Sequence, residues 1–212
     1  MFGDGANPSL LMAAKSKAFV FDGSPVLSSD YELKSDVVVF SSFVKKEFCQ
    51  QIVEFFKDSP DWNKSVTYGE GPTPEDAKRS PRQSDEISSI LFKGADSYVY
   101  TIFKEAMAKY REIYAPAEVD ILSDEGYSLL RYSPGGEYRE HTDRGSNNNR
   151  VVSGLIYLND DYKGGEIHFP RYDLRIKPMT GSVVMFPSTH THLHAALPVT
   201  EGTKYSIVTW FK

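Results

Sequence analysis

The tripeptide His141-Thr142-Asp143, inside EYREHTDRG, sets one imidazole and one carboxylate two residues apart. On a strand, residues i and i+2 face the same side, so the two groups would stand together. They supply two ligands of a facial metal site, which one further imidazole would complete. Two His and one carboxylate leave three open positions on an octahedral ion. That suits non-haem Fe(II), which needs room for a chelating cosubstrate and for O2. Taken alone, the tripeptide fits a hydrogen-bonded surface pair better than a ligand pair, because it is common.

All five histidines, at 141, 168, 190, 192 and 194, lie in the last 72 residues. Imidazole is the commonest metal ligand among side chains, so this end of the chain is expected to carry the site. Candidates for the third ligand are His190, His192 and His194, within FPSTHTHLHAALPVTEGTKYS. Their alternate spacing would place all three on one strand face, like a separate zinc cluster. The metallo-β-lactamase pattern His-x-His-x-Asp-His is not met, since Leu193 occupies the acidic position. His190 and His192 fit the loop after Pro187 equally well, and on the residues alone the choice stays open. His168 reads as a hydrogen-bonding residue rather than a ligand.

The elements that must position these groups change character along the chain. Residues 1–35 are rich in Gly, Ser, Pro and Asp and are expected to wrap the surface. Val37 to Phe40 reads as a strand. Ser41 or Ser42 is expected to cap a helix over about 44–57, whose Val44, Phe48, Ile52 and Phe56 share one face. Residues 58–84 lack periodicity and hold four of the twelve prolines, so they are a candidate lid, with Arg79 and Arg82 suited to an acidic ligand. A second helix is expected over about 86–112, with Gly94 a candidate break. After Pro116 come short β-rich runs, GYSLLRY, RVVSGLIYL, GEIHF, LRIK, SVVMF and TKYSIVTWF, separated by turn signals. That spacing predicts an antiparallel sandwich or barrel.

Composition narrows the function. With 24 basic and 29 acidic side chains the formal charge is −5, which argues against a dedicated nucleic-acid binder. The lone cysteine, Cys49, excludes an internal disulfide or a multi-cysteine zinc cage and fits a reducing cytosol. No apolar run is long enough to span a membrane as a helix. The first 21 residues lack the basic start of a signal peptide, so a soluble cytoplasmic protein with a loose N-terminus is expected.

YSPGGEYREHTD, YLNDDYKGGEIHFP, GSVVMFPS and HAALPVTEGTKYSIVTWF, in that order, resemble the prolyl-4-hydroxylase-like family of Fe(II)- and 2-oxoglutarate-dependent oxygenases. The resemblance covers about Gly126 to Lys212. The family's tail has a His, then Pro-Val, then a Lys or Arg ten residues after the His, then an aromatic. His194, Pro198, Val199, Lys204 and Tyr205 match it in register, whereas His190 and His192 do not.

The resemblance implies that His141, Asp143 and His194 hold Fe(II), that Lys204 pairs with the distal carboxylate of 2-oxoglutarate, and that Tyr132 donates its hydroxyl to that cosubstrate. Lys204, following a Thr-Glu-Gly turn, is expected to begin the antiparallel partner of the His194 strand, with Arg131 the alternative cation. The implied fold is α+β: a double-stranded β-helix, or jelly roll, with the N-terminal helices packed on one sheet. One domain over 1–212 is expected, with helical support to about 120 and the catalytic part over about 121–212. The implied activity is a dioxygenase that uses O2, with ascorbate a candidate reductant. It would hydroxylate a C–H bond of a prolyl or other peptide, protein or amino-acid substrate, releasing succinate and CO2. The retained Asp143 favours hydroxylation over halogenation. Alternatives are a non-catalytic metal-binding jelly-roll module and a nucleic-acid demethylase of the same cofactor class; the second is disfavoured by the acidic balance and by the lack of an arginine pair after the last strand.

Overall fold

Period-two alternation of apolar residues builds two facing sheets, and helical periodicity builds the layer that covers one of them. The computed structural model describes residues 18–27, 30–65, 80–114 and 123–212. In chain order they form β1 (Tyr31–Lys34), β2 (Val37–Phe40), α1 (Lys46–Phe56), β3 (Asn63–Lys64), β4 (Arg82–Gln83), β5 (Asp85–Ser88), α2 (Asp96–Ile113), β6 (Ser128–Tyr132), β7 (Glu137–His141) and β8 (Val152–Tyr157). There follow β9 (Lys163–Gly164), β10 (Ile167–Phe169), β11 (Leu174–Ile176), β12 (Val183–Pro187), β13 (His194–Ala196), β14 (Val199–Glu201) and β15 (Lys204–Phe211). Among the described residues a large sheet runs β1-β2-β12-β8-β15-β6-β5-β3 and a smaller one β11-β10-β13-β7-β4, with β14 and β9 as a short ribbon. Neighbouring strands pair antiparallel, the arrangement of a jelly roll.

The two faces of the large sheet divide the labour. On one, Ile156, Val183, Met185, Ile207 and Phe211 join the helices' Phe48, Ile52, Phe56, Ile102 and Phe103 in one buried core. On the other, Leu130, Tyr132 and Val208 form one apolar cluster and Tyr157, Val184 and Phe186 another, both turned toward the smaller sheet. Phe48, Ile52 and Phe56 form the expected buried face of α1, whereas Val44, also buried, precedes the helix and bridges to Val26. Gly154 lets α2 approach β8, since a side chain there would meet the Phe103 ring. Gly181, at φ +83°, turns the chain where a Cβ would overlap the Val44 carbonyl.

Several expectations need correction. Ser42 sits in the left-handed region at φ 54°, and Lys45 stands at the N-cap without a side-chain cap, so neither serine starts α1. Residues 85–88 are a strand, with Ile87 in the core, and α2 begins only after Gly94 turns the chain at φ +95°. Its β pairing to β6 overrides the four-residue spacing of Ile87 and Leu91. The N-terminal part is not helical support alone, for β1, β2, β3 and β5 extend the large sheet and β4 the small one. Nor does all of 18–35 lie on the surface. Phe19 and Phe21 are buried edge-to-face against Phe48, at 5.8 Å and 5.1 Å. Residues 66–79, most of the candidate lid and including Arg79, lie outside the described residues, as do residues 1–17.

Phe48 knits the N-terminal segment, α1 and Tyr98 of α2 together. Phe48→Ala is expected to cost about 3–5 kcal/mol. In a chain of this size that lowers Tm by roughly 6–20 °C, measured by thermal unfolding followed by circular dichroism.

Candidate active site

His141 ends β7 and His194 begins β13, and antiparallel pairing sets them directly opposite one another. Asp143 lies just past the strand end, where the chain bends and its backbone oxygen accepts from the side chains of Asn148, at 3.2 Å, and Arg150, at 3.4 Å. His141, Asp143 and His194 thus come together from distant parts of the chain, one donor atom of each lying within 4.8 Å of the others. Asp143 and His194 are buried; His141 is partly so, with the Tyr138 ring stacked on it at 3.5 Å.

The hydrogen bonds fix what these groups can do. The His141 Nδ1 faces the Arg139 carbonyl at 2.8 Å, and the His194 Nδ1 faces the His192 carbonyl at 2.9 Å. A carbonyl can only accept, so each Nδ1 carries a proton and each Nε2 is left to face the Asp143 carboxylate. The two Nε2 atoms lie 3.6 Å from it, Oδ1 facing His141 and Oδ2 facing His194, too far for a hydrogen bond. Burial works to raise the Asp143 pKa, but His194, His141 and the Ser153 hydroxyl outweigh it and hold the carboxyl well below the usual carboxylate range. Burial pushes the His194 imidazole down to about 4, against the attraction of Asp143. Asp143 is therefore a buried anion, and the lowered pKa of His194 leaves its Nε2 an acceptor at neutral pH. Among the described residues no lysine or arginine side chain forms an ion pair with that carboxylate. A divalent cation is the partner this donor set fits, with two imidazoles and an ionised carboxylate whose ligand atoms lie within 4.8 Å of one another.

The same cavity extends to Lys204, which pairs with Tyr132 across β15 and β6 in the large sheet. Lys204 therefore does not begin the partner of the His194 strand: β13 pairs with β7 and β10, and Lys204 stands on the sheet across from it. The cavity has a donor cluster on one sheet and a cation on the other. The Lys204 ammonium is buried, donates to the Gly165 carbonyl at 2.8 Å, and lies 5.3 Å and 5.1 Å from the Tyr132 and Tyr157 ring centres. Burial pushes it down to about 8, opposed by Glu166.

The remaining lining is rich in donors without acceptors. The Tyr157 hydroxyl, the Arg82 Nε and the Trp210 Nε1 are buried on this cavity with no protein partner. Arg82 is further held by the Tyr132 hydroxyl and by Glu86 at 3.6 Å, with its guanidinium 5.3 Å from the Tyr138 ring centre. Leaving such groups unpaired is costly, so this cavity is matched to a ligand that brings acceptor oxygens. Sequence reasoning did not assign Tyr157 or Trp210, although period-two spacing in β8 and β15 places both on the inward face. Arg82 was noted only as part of a lid.

The other sequence candidates fall outside. His190 is exposed at the start of a short 3-10 turn. His192 is buried, but its Nε2 meets the Ser35 carbonyl and its Nδ1 the Thr191 hydroxyl, both at 2.9 Å. His168 lies opposite Ala195 on β10. Arg131 is engaged elsewhere, with Asp85 at 2.9 Å, the Lys57 carbonyl and the Trp62 ring.

Residues 127–212 match the family described as the 2OG-Fe(II) oxygenase superfamily. A candidate prolyl 4-hydroxylase of Acanthamoeba polyphaga mimivirus is 33% identical over 110 residues, 42% of this chain and 45% of that protein. Probable prolyl 4-hydroxylase 9 of Arabidopsis thaliana is 27% identical over 204 residues, 82% of this chain and 68% of that protein. The chain thus spans less than half the length of the first relative and about two thirds of the second. Among solved structures, the prolyl hydroxylase of Trichoplax adhaerens in complex with a peptide fragment of hypoxia inducible factor superposes with a TM-score of 0.69. It is 16% identical and covers 84% of both chains. The viral collagen prolyl hydroxylase of Paramecium Bursaria Chlorella virus-1, in its 2OG complex, gives 0.63 at 19% identity, over 83% of this chain and 94% of the other.

Proposed function

On the premise that residues 127–212 belong to the 2OG-Fe(II) oxygenase superfamily, with Fe(II) and 2-oxoglutarate as cofactors, we propose that this prolyl-4-hydroxylase-like dioxygenase hydroxylates a C–H bond of a prolyl or other peptidyl substrate. In this reading His141, Asp143 and His194 hold Fe(II). When bound, the metal and the keto acid would let O2 act as the oxidant, one oxygen atom entering the C–H bond and the other the succinate formed as the keto acid loses CO2. One observation carries the reading: a buried anionic three-donor cluster and a buried lysine on opposite sheets of one cavity.

The chain's own residues divide the remaining work. Arg139 and His192 offer the carbonyls that keep each Nε2 free for the metal. Lys204, its ammonium 5.1 Å from the Tyr157 ring centre, binds the distal carboxylate, and Tyr132, at the opposite register position, donates its hydroxyl to the cosubstrate. Leu130, Leu155, Ile167 and Val208 line the cavity and keep water from the reacting end. Arg82 and Trp210 present donors for a substrate carbonyl or carboxylate. Residues to about 120 support the catalytic part over about 121–212. No helix among the described residues is long and apolar enough to cross a membrane, and Cys49 is a buried free thiol; we place the activity in the cytoplasm, with ascorbate as reductant.

The test is 2-oxoglutarate turnover against prolyl peptides, other peptides, free amino acids and alkylated oligonucleotides. Stimulation by a peptide supports the proposal; stimulation by the oligonucleotides alone sinks it. Arg82→Ala is expected to raise the KM of the stimulating peptide about tenfold, the scale of one charge-assisted hydrogen bond, with a smaller effect on peptide-independent decarboxylation. Steady-state kinetics in the two regimes reads the difference.

A further inference from the structure

Ser153 and Ser188 are buried beside the metal donors, and the chemistry assigned so far gives them no role. Ser153 lies on β8, two residues from Leu155 and four from Tyr157, so it shares their inward face. Its hydroxyl donates to the Asp143 Oδ2 at 2.6 Å. The Ser188 hydroxyl, just past β12, lies 2.8 Å from the Ser153 oxygen. A carboxylate held ionised can only accept, so Ser153 spends its single proton on Asp143 and Ser188 must be the donor to Ser153. The direction of the chain is thereby fixed: Ser188 to Ser153 to Asp143. Backbone hydrogen bonds hold its outer end, from the Ser188 N–H to the Val151 carbonyl and from the Arg144 N–H to the Ser188 carbonyl.

Resting on the proposed metal site, we infer that Ser153 is a positioning residue that occupies one oxygen of Asp143 and so commits this ligand to bind the metal through the other. Among the described residues Oδ1 has His141 beside it and no hydroxyl donor, whereas Oδ2 already holds a short hydrogen bond. The count of positions gives this weight. On an octahedral ion, two imidazoles and one carboxylate oxygen would use three of six positions and leave three for a chelating keto acid and O2. A carboxylate free to chelate would take one of those three. Ser188 acts only by orienting the Ser153 hydroxyl.

Anaerobic Fe(II) titration of the purified protein, with circular dichroism to confirm folding, tests this. Ser153→Ala is expected to weaken Fe(II) binding about tenfold to a hundredfold, as loss of an outer-shell partner does. Ser153→Thr keeps the hydroxyl and should stay within about threefold of the parent. Ser188→Ala should lose less than Ser153→Ala, and the double variant no more, because both act through one hydrogen bond. In turnover, Ser153→Ala should need severalfold more O2 for half-maximal rate at an unchanged KM for 2-oxoglutarate, a split that general loosening does not produce. Parent-like Fe(II) affinity in Ser153→Ala, or losses that add in the double variant, would overturn the inference and leave the metal site standing. A parent protein that binds no stoichiometric Fe(II) would overturn both.

Discussion

Replacing His141, Asp143 or His194 with Ala is expected to remove stoichiometric Fe(II) binding and, with it, iron-dependent decarboxylation of 2-oxoglutarate. Each substitution deletes a third of the donor set, and among the described residues none has a substitute nearby. His190 is exposed, and both ring nitrogens of His192 are engaged. His192→Ala should therefore retain Fe(II) binding, because its contribution to His194 is a backbone carbonyl that the substitution leaves in place. Asp143 carries a second consequence. Its carboxylate stays ionised because His194, His141 and the Ser153 hydroxyl outweigh the cost of burial. Asp143→Asn removes the charge while preserving shape, and should lose the metal as Ala does. Anaerobic titration decides the matter, and loss of binding in His192→Ala with retention in His194→Ala would reassign the third ligand.

How much of this was legible beforehand depended on whether the decisive contacts were local. The six β-rich runs after Pro116 each yielded a strand, since alternation is a property of the run itself. The period-four face of α1 held for the same reason. His141 and Asp143 were found by their spacing, yet they come together differently from the expected strand pair, for Asp143 is past the strand end and a bend turns it inward. The choice among three alternating histidines could not be made from spacing, because a 3-10 turn over His190–His192 breaks the alternation before β13 begins. What holds that turn is the Ser35 carbonyl, 157 positions away. Lys204 was placed on the wrong sheet because its true partner, Tyr132, is paired by topology rather than by the preceding turn. Arg82 lies in a two-residue strand, too short to carry any periodic signal. Ser153 gave no hint, since a serine within a buried strand declares its role only through the carboxylate it meets.

Lys204→Ala is expected to weaken 2-oxoglutarate binding by about tenfold to several hundredfold while leaving Fe(II) affinity nearly unchanged. A charge-assisted contact is worth about 1.5–3 kcal/mol. At 1.4 kcal/mol per decade, that sets the lower part of the range. Its loss also strands a carboxylate in a buried site, which raises the cost. Among the described residues the other cation on the cavity is Arg82, already held by Tyr132 and Glu86; Arg131 is engaged with Asp85. The pH dependence gives an independent reading. Burial lowers the Lys204 pKa to about 8 from 10.5, so the fold disfavours its charged form. Between about pH 8 and 10.5 the unfolded chain holds this proton and the folded one does not, so from this group alone stability rises with pH across that window. Binding runs the other way. The carboxylate requires the ammonium, so affinity should be nearly flat below pH 7.5 and fall about tenfold per unit above 8, with uptake of a proton on binding. Lys204→Arg, whose guanidinium stays charged throughout, should bind more weakly than the parent at neutral pH because its planar fork is a different shape, and should lose the alkaline fall. Anaerobic titration of 2-oxoglutarate into the Fe(II)-loaded proteins from pH 6.5 to 9.5 separates these outcomes. An alkaline fall that persists unchanged in Lys204→Arg would place the titrating group elsewhere in the cavity.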